Sequence, residues 1–476
     1  MLTGDNGILK QAQNAKERTE EAAKNEQTDL ARQEDLINET LNGVEVEQVT
    51  DSNPGVLEQE DTNTYVINSI EDLVVFAHDV TKGNNYSGKT VKLGTSLDFN
   101  STKSYVDPYR TNYSDYGYDG ALKTLLTSGK GFLPIGTIYD RNVSMNNFYG
   151  TFDGNYNVIY NLYQNAEESE NTIIIGLFGT NMGTIKNLKI ENGNLNGSTD
   201  NMHLILGAIA GRNSGDIENC SSTGNLSVRA NGVKGIYIGG ISGQGDNQIE
   251  NEKINKCYSE MNITVEATNS NTVTAAGIGN QGGDLISNCY FSGKITITGL
   301  DNLQRNAVGI GSAVSEIENC YNIGTLIVET NGITEGRGGY LGGISNGSAN
   351  INNCYNIGTI EGYSPVNHLG GIDANAQNGN ITNCCNKGNI IIVEGKRNIS
   401  GSIVGTGKNL IINNSKWLLN TASSAVGSSE ENVTDNSECI NTLEEMPSVL
   451  SIINGDCAFK EDTNNINNGY PILEWQ

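Results

Sequence analysis

One short phrase of residues returns eight times in this chain, and that fixed return restricts the fold more than composition does. Ile185-Lys-Asn-Leu188 recurs as Ile217-Glu-Asn-Cys220, Ile254-Asn-Lys-Cys257, Ile286-Ser-Asn-Cys289 and Ile317-Glu-Asn-Cys320. It recurs again as Ile351-Asn-Asn-Cys354, Ile381-Thr-Asn-Cys384 and Ile412-Asn-Asn-Ser415. Successive starts lie 32, 37, 32, 31, 34, 30 and 31 residues apart. Ahead of the motif stands a Gly-rich apolar signal, as in Gly176-Leu-Phe-Gly179, Gly207-Ala-Ile-Ala-Gly211, Gly239-Gly-Ile-Ser-Gly243 and Leu341-Gly-Gly-Ile344. A period of this length marks a solenoid, in which each unit buries its apolar face only against its neighbours.

Within a unit, three apolar stretches alternate with Gly, Asn and Ser. In one unit they are Leu341–Ser345, Ala349–Tyr355 and Gly358–Glu361. They are too short for helices and rich in turn-formers, so they read as strands. Three strands per turn, stacked turn on turn, give an all-β fold: a parallel, right-handed β-helix of about eight or more coils with an N-terminal α-helix and capping elements. At a rise of about 4.8 Å per coil, eight coils make a rod of roughly 40 Å.

Stacking turns repeated positions into columns. Asn187, Asn219, Asn288, Asn319, Asn353, Asn383 and Asn414 share one column, interrupted by Lys256. Asn tolerates the left-handed backbone of a corner, and stacked amides hydrogen-bond along the rod. The next column holds Cys220, Cys257, Cys289, Cys320, Cys354 and Cys384, with Leu188 and Ser415 in the outermost units. A slot that takes Leu, Cys and Ser calls for a small buried group. Stacked side chains run parallel, which is poor disulfide geometry, and no CxxC or HxxxH spacing suggests a metal. Cys439 and Cys457 lie outside the repeat and are free to pair as one disulfide.

The chain has 476 residues, 55 acidic and 29 basic, for a formal charge of −26. That balance argues against nucleic acid, which needs Lys and Arg clusters, and against anionic membranes. No run of 18 or more apolar residues spans a bilayer, and no signal peptide is recognisable. The three histidines, His78, His203 and His368, leave little material for catalysis, and no cofactor is expected.

Residues 1–42 are rich in Ala, Glu, Lys and Gln and read as a helix too sparse in apolar residues to pack strongly. Residues 43–64 read as a linker, 65–170 as an N-terminal cap and first coils, 171–419 as the repeats and 420–476 as a C-terminal cap. Ser69 followed by Asp72 predicts a capped helix over Ser69–His78. Leu443–Leu450 and Tyr470–Trp475 are expected to close the far end, because an open last coil is an unpaired strand edge.

The units from Gly176-Leu-Phe-Gly179 through Gly183-Thr-Ile-Lys-Asn-Leu188 onward resemble the GLUG repeat of bacterial surface proteins. Phe132-Leu-Pro-Ile-Gly136 and Gly150-Thr-Phe-Asp-Gly-Asn155 fit the segment that precedes such repeats. The start, Met1-Leu-Thr-Gly-Asp-Asn-Gly-Ile-Leu-Lys10, resembles the stretch after the hydrophobic helix of Firmicute prepilin-like proteins. The resemblance implies a Gram-positive, extracellular, cell-surface protein, with the hydrophobic anchoring helix and its cleavage site absent from this chain. GLUG repeats also accompany immunoglobulin-cleaving zinc peptidases, but those need HExxH, and no histidine here is followed by Glu.

The function expected is therefore a non-enzymatic surface or pilus-associated β-helix serving adhesion or display. Its partners would be host or microbial glycans or proteins, and other pilin subunits through the N-terminal helix. The alternative is a carbohydrate-active β-helix, a lyase or glycosidase, which would need paired carboxylates or a carboxylate-bound cation. Asp98, Asp153, Glu218 and Glu318 are available but form no recurring constellation with His or Arg. A calcium-stabilised rod lacks its GGxGxD repeat. The candidate ligand site is the Tyr-rich insertion with Tyr105, Tyr109, Tyr113, Asp115, Tyr116, Tyr118 and Asp119, where rings interleaved with acids suit sugars. The bland alternative is a loop that buries its rings over the first coil.

Overall fold

A short strand must end wherever its backbone turns left-handed, and this rule cuts each coil finer than the sequence pattern suggests. The computed structural model describes residues 57–476 except 82, 100–130, 137–145, 168–171, 201–202, 246–251, 271, 281, 300–303, 331–337, 349, 393–396, 446 and 454–457. The coil that begins at Gly339 holds strands Gly339–Gly342, Ser345–Asn346, Asn350–Asn352, Tyr355–Asn356 and Thr359–Gly362. The expected three strands per turn are thus five segments. Asn353, at a φ of 51°, breaks one apolar stretch, and Gly343-Ile344 breaks another.

Every segment pairs in parallel with its counterpart one coil on: Leu341 with Leu369, Ser345 with Asp373, Ile351 with Ile381, Tyr355 with Cys385 and Ile360 with Ile390. This is a parallel β-solenoid. One wall is a separate eight-stranded sheet running from Ile173–Ile175 to Arg397–Gly401. The remaining walls join in one continuous ladder that starts before the eight motif units, with Thr90–Leu93 pairing onto Thr151–Asp153.

The Gly-rich signal has a steric cause. A Cβ on Gly342 would lie 1.6 Å from the Ser345 carbonyl oxygen, because the chain there folds back across the outer face of the eight-stranded sheet. On Gly343 it would lie 2.1 Å from the Gly371 carbonyl oxygen of the next coil. Neither position admits a side chain without moving backbone.

The Asn column forms as the sequence predicts. Asn219 Nδ2 donates to Asn187 Oδ1 at 2.8 Å, Asn353 to Asn319 at 3.2 Å and Asn383 to Asn353 at 3.0 Å. All members have a positive φ, Lys256 included at 52°. Where Lys256 interrupts the chain of amides, the neighbouring Asn255 stands in, its Oδ1 accepting from Asn288 Nδ2 at 2.9 Å and Ser287 Oγ at 3.1 Å.

The first coil is closed by helix α1 (Ile70–Thr81), which buries Leu73, Phe76, Ala77 and Val80. Ser69 Oγ accepts from the Asp72 amide at 3.1 Å, and Asp72 Oδ2 accepts from the Asn68 amide at 2.9 Å, so the expected cap is present. Phe76 meets Phe148 edge-on at 5.6 Å and Phe152 face-on at 5.9 Å, which seats the helix on the coil interior. The far end differs from expectation. Val426–Ser429 and Val433–Ile440 add one further rung onto Val404–Leu418. The chain then runs back along the flank of the solenoid: helix α2 (Val449–Ile453) and the antiparallel pair Phe459–Lys460 and Ile472–Leu473 build a second apolar cluster there. Bulky apolar side chains on that flank need cover more than the polar last rung does.

Candidate functional site

Two adjacent columns define this flank. Alternation along a strand turns Cys320 inward and Tyr321 outward, so six of the eight motifs place a thiol inside the coil and the residue after it outside. Inside, the amide of Cys220 donates to Cys257 Sγ at 3.4 Å, that of Cys257 to Cys289 Sγ at 3.3 Å, and that of Cys289 to Cys320 Sγ at 3.4 Å. Each thiol in turn donates to the carbonyl two residues back, as Cys320 does to Glu318 at 3.1 Å. Ser415 ends the column with the same two bonds, to the Cys384 amide at 3.1 Å and the Asn413 carbonyl at 3.0 Å. The slot is thus a hydrogen-bonding relay as well as a packing site. All six thiols are buried and free of disulfides. Burial pushes Cys220, Cys289, Cys320 and Cys384 well above the usual thiol range, which leaves them neutral and unreactive. Cys439 is an exposed free thiol, while Cys457 lies outside the described residues.

Outside, the rings of Tyr258, Tyr290, Tyr321 and Tyr355 stack at 4.9 Å per step within 5° of parallel. Cys385 continues the column, its thiol pushed up to about 12 by burial. The returning C-terminal segment covers the lower part. Phe459 packs on Tyr321 and Tyr355 at 6.5 and 5.8 Å. The Tyr321 hydroxyl donates to Gln476 Oε1 at 3.0 Å, and the Tyr355 hydroxyl donates to the Pro471 carbonyl while accepting from Asn467 Nδ2 at 2.8 Å. Trp475 Nε1 donates to the Asn288 carbonyl at 3.0 Å, fixing the indole beside Tyr258 and Tyr290. This ladder is absent from the sequence expectations, although Tyr follows Cys in four of the motifs.

The outer face of the eight-stranded sheet carries a second set of rings. His203 stacks on Tyr237 at 6.3 Å, and His368 on Tyr340 at 4.5 Å. His368 Nδ1 also lies 3.0 Å from Thr406 Oγ1, on the strand that folds back across that face. Burial, aided by Arg397, pulls the His368 imidazole down to about 4, so it is a neutral ring that stacks on Tyr340 and hydrogen-bonds Thr406.

Two of the four carboxylates weighed for catalysis, Asp153 and Asp98, hold corners. Asp153 Oδ1 accepts from the Asn155 amide at 2.8 Å and Asn187 Nδ2 at 3.0 Å, and its Oδ2 lies 3.5 Å from Lys186 Nζ. Asp98 Oδ1 accepts from Asn161 Nδ2 at 2.8 Å. Glu218 and Glu318 share one column of the motif strands, with Asn255 and Ser287 between them in register. No group of three His, Cys, Asp or Glu able to hold a metal occurs among the described residues. The candidate residues Tyr105, Tyr109, Tyr113, Asp115, Tyr116, Tyr118 and Asp119, and the helix expected over 1–42, lie outside the described residues.

No family model matches this chain. Halomucin of Haloquadratum walsbyi is 28% identical over 176 residues, which is 36% of this chain and 2% of halomucin. The chain therefore spans only a small fraction of that relative. A crystal structure from Bacteroides ovatus, provisionally assigned as an immunoglobulin A1 protease, is 17% identical with a TM-score of 0.40, covering 88% of this chain and 94% of that one.

Proposed function

We propose that this chain is a surface-associated, non-enzymatic β-helix that holds a ligand-binding surface away from the cell. The reading rests on one observation: coil after coil repeats the same load of stacked side chains. Asn amides, thiols and tyrosine rings each link one turn to the next, which gives a stiff rod with interchangeable rungs. The GLUG-like repeats and the partial similarity to halomucin support a surface or extracellular setting. The prepilin-like start supports export and assembly with other pilin subunits through residues 1–42, and the charge of −26 favours glycan or protein partners over polyanions.

Antibody raised against the purified chain should label intact cells of the native organism, and the purified chain should retain neutral glycans on an array without degrading them. Labelling only after lysis would overturn the surface assignment. Appearance of shortened saccharides would restore the carbohydrate-active alternative.

A further inference from the structure

The tyrosine ladder is sealed at one end and only partly covered at the other. In register the outward column reads Lys189, Ser221, Tyr258, Tyr290, Tyr321, Tyr355 and Cys385. Tyr321 and Tyr355 are sealed beneath the C-terminal segment, whereas Tyr258, Tyr290 and Trp475 are each half-buried. Tyr258 rests one ring face on Tyr290 at 4.9 Å, with the two planes parallel. Its other face looks along the column toward Ser221, a buried side chain too short to continue the stack. Trp475 lies 25° from both ring planes, with its centroid 6.4 Å from Tyr258 and 6.1 Å from Tyr290. At the next rung Lys189 Nζ is paired to Glu191 Oε2 at 2.9 Å, and Glu260 is exposed two residues beyond Tyr258 on the same face.

We propose that Tyr258 and Trp475 form a stacking platform for a single neutral or amino-substituted sugar ring, with Tyr290 bracing Tyr258 from the ladder side and Lys189, Glu191 and Glu260 meeting the sugar hydroxyls. A flat ring face held rigid by a ladder below it suits the C–H face of a pyranose, and prior immobilisation removes most of the ordering cost of binding. A cation and two carboxylates beside the ring supply donors and acceptors for hydroxyl groups. Phosphorylated or sulfated ligands are disfavoured by Glu191, Glu260 and the overall charge of −26. A protein partner would need a broad apolar face, and only one ring end is open. The proposal rests on the adhesive reading above and gives it a location distinct from the Tyr-rich insertion.

Trp475 reports on the platform directly. The chain has two tryptophans, and Trp417 is buried in the coil interior. In the full chain carrying Trp417→Phe, cellohexaose, maltohexaose and a glucosamine hexamer should be titrated while indole emission is followed. At least one should change it saturably. Tyr258→Ala should then weaken binding about tenfold or more. Ser221→Tyr, which sets a ring against the free face of Tyr258, should block binding while the far-UV circular dichroism spectrum stays that of the wild-type coil. A hexamer that binds with the same affinity to both variants overturns the platform and leaves adhesion through another surface standing. Failure of all three hexamers and of a wider neutral-glycan array to bind overturns the platform and the adhesive reading together.

Discussion

Cys320 and Tyr321 are neighbours in sequence, each belongs to a column that climbs the rod in the same register, and yet the two columns are stabilised in opposite ways. The thiol column is completed by its own neighbours: each amide and carbonyl at the corner finds a sulfur one coil or two residues away. The ring column faces outward and would leave a stripe of apolar surface in water. It is buried only because residues from 447 onward return across it. A local repeat can specify the first arrangement, but the second needs a segment more than a hundred residues distant in sequence. The inner column should therefore respond to chemistry within its slot, and the outer one to removal of its cover.

The largest effect is expected from Cys320→Asp, which places a carboxylate where no cation can reach it and should cost several kcal/mol, enough to prevent folding of the middle coils. Cys320→Ala should cost about 1–2 kcal/mol, combining a small cavity with a lost corner bond. Cys320→Ser should cost less than Ala, since Ser415 already performs both hydrogen-bonding roles. Urea denaturation of the three variants tests this order. If Ser proved as costly as Asp, the slot would require sulfur rather than a small donor and acceptor. Thiol titration without reductant gives the companion result: Cys439 reacts in the native protein, and the seven buried thiols react only after unfolding.

On the outer column, Tyr355→Ala should cost about 3–5 kcal/mol, because the ring is fully buried beneath the cover. Tyr258→Ala, at the partly covered end, should cost far less. Removing residues 447–476 should abolish that difference while circular dichroism still reports the β-helix. A difference that survives the truncation would show that the ladder is stabilised by ring stacking rather than by its cover.

How much of this was legible in sequence follows from the same contrast. The parallel solenoid, the left-handed Asn corner, the unpaired thiols and the α1 cap all depend on contacts between a unit and its neighbour, and a repeat displays those contacts openly. The five-segment coil was hidden because Leu341–Ser345 and Ala349–Tyr355 each read as one apolar run, although Gly343 and Asn353 bend them. The Tyr column was written in the motif, but nothing local says that Phe459, Pro471 and Trp475 lie against it.

A polar group inside the coil tests how far the interior tolerates charge. Asp373 is fully buried in the column that Ala210 and Val404 occupy elsewhere, and its Oδ1 accepts from the Asn375 amide at 2.7 Å and the Gly347 amide at 3.1 Å. Burial raises its carboxyl to about 6. A carboxyl raised in the folded state holds its proton longer there than in the unfolded chain, so stability falls as pH rises from about 4 to about 6 and is level above that. A gap of about two pKa units corresponds to about 3 kcal/mol. Asp373→Asn should therefore raise the melting temperature at pH 7 and lose that advantage below about pH 4. An advantage independent of pH would mean that the carboxyl stays ionised in the folded protein.

The smallest effect is expected at Lys256, where the Asn column is interrupted. Its φ of 52° is one that Asn adopts readily and a long side chain does not. Asn255 has taken over the amide contacts of the missing Asn, bonding both Ser287 and Asn288. Lys256→Asn should relieve the backbone strain and offer a second amide to Asn219 and Asn288, stabilising the fold by about 0.5–1 kcal/mol. The gain should be modest because Asn255 already satisfies Asn288. Pairing the change with Asn255→Ala separates the two contributions: the double variant should match the wild type if the amide introduced at position 256 can replace that of Asn255 in the ladder. If Lys256→Asn instead left the urea midpoint unmoved and the double variant fell well below wild type, the corner would be held by Asn255 alone, and continuity of the column would matter less than a single well-placed amide.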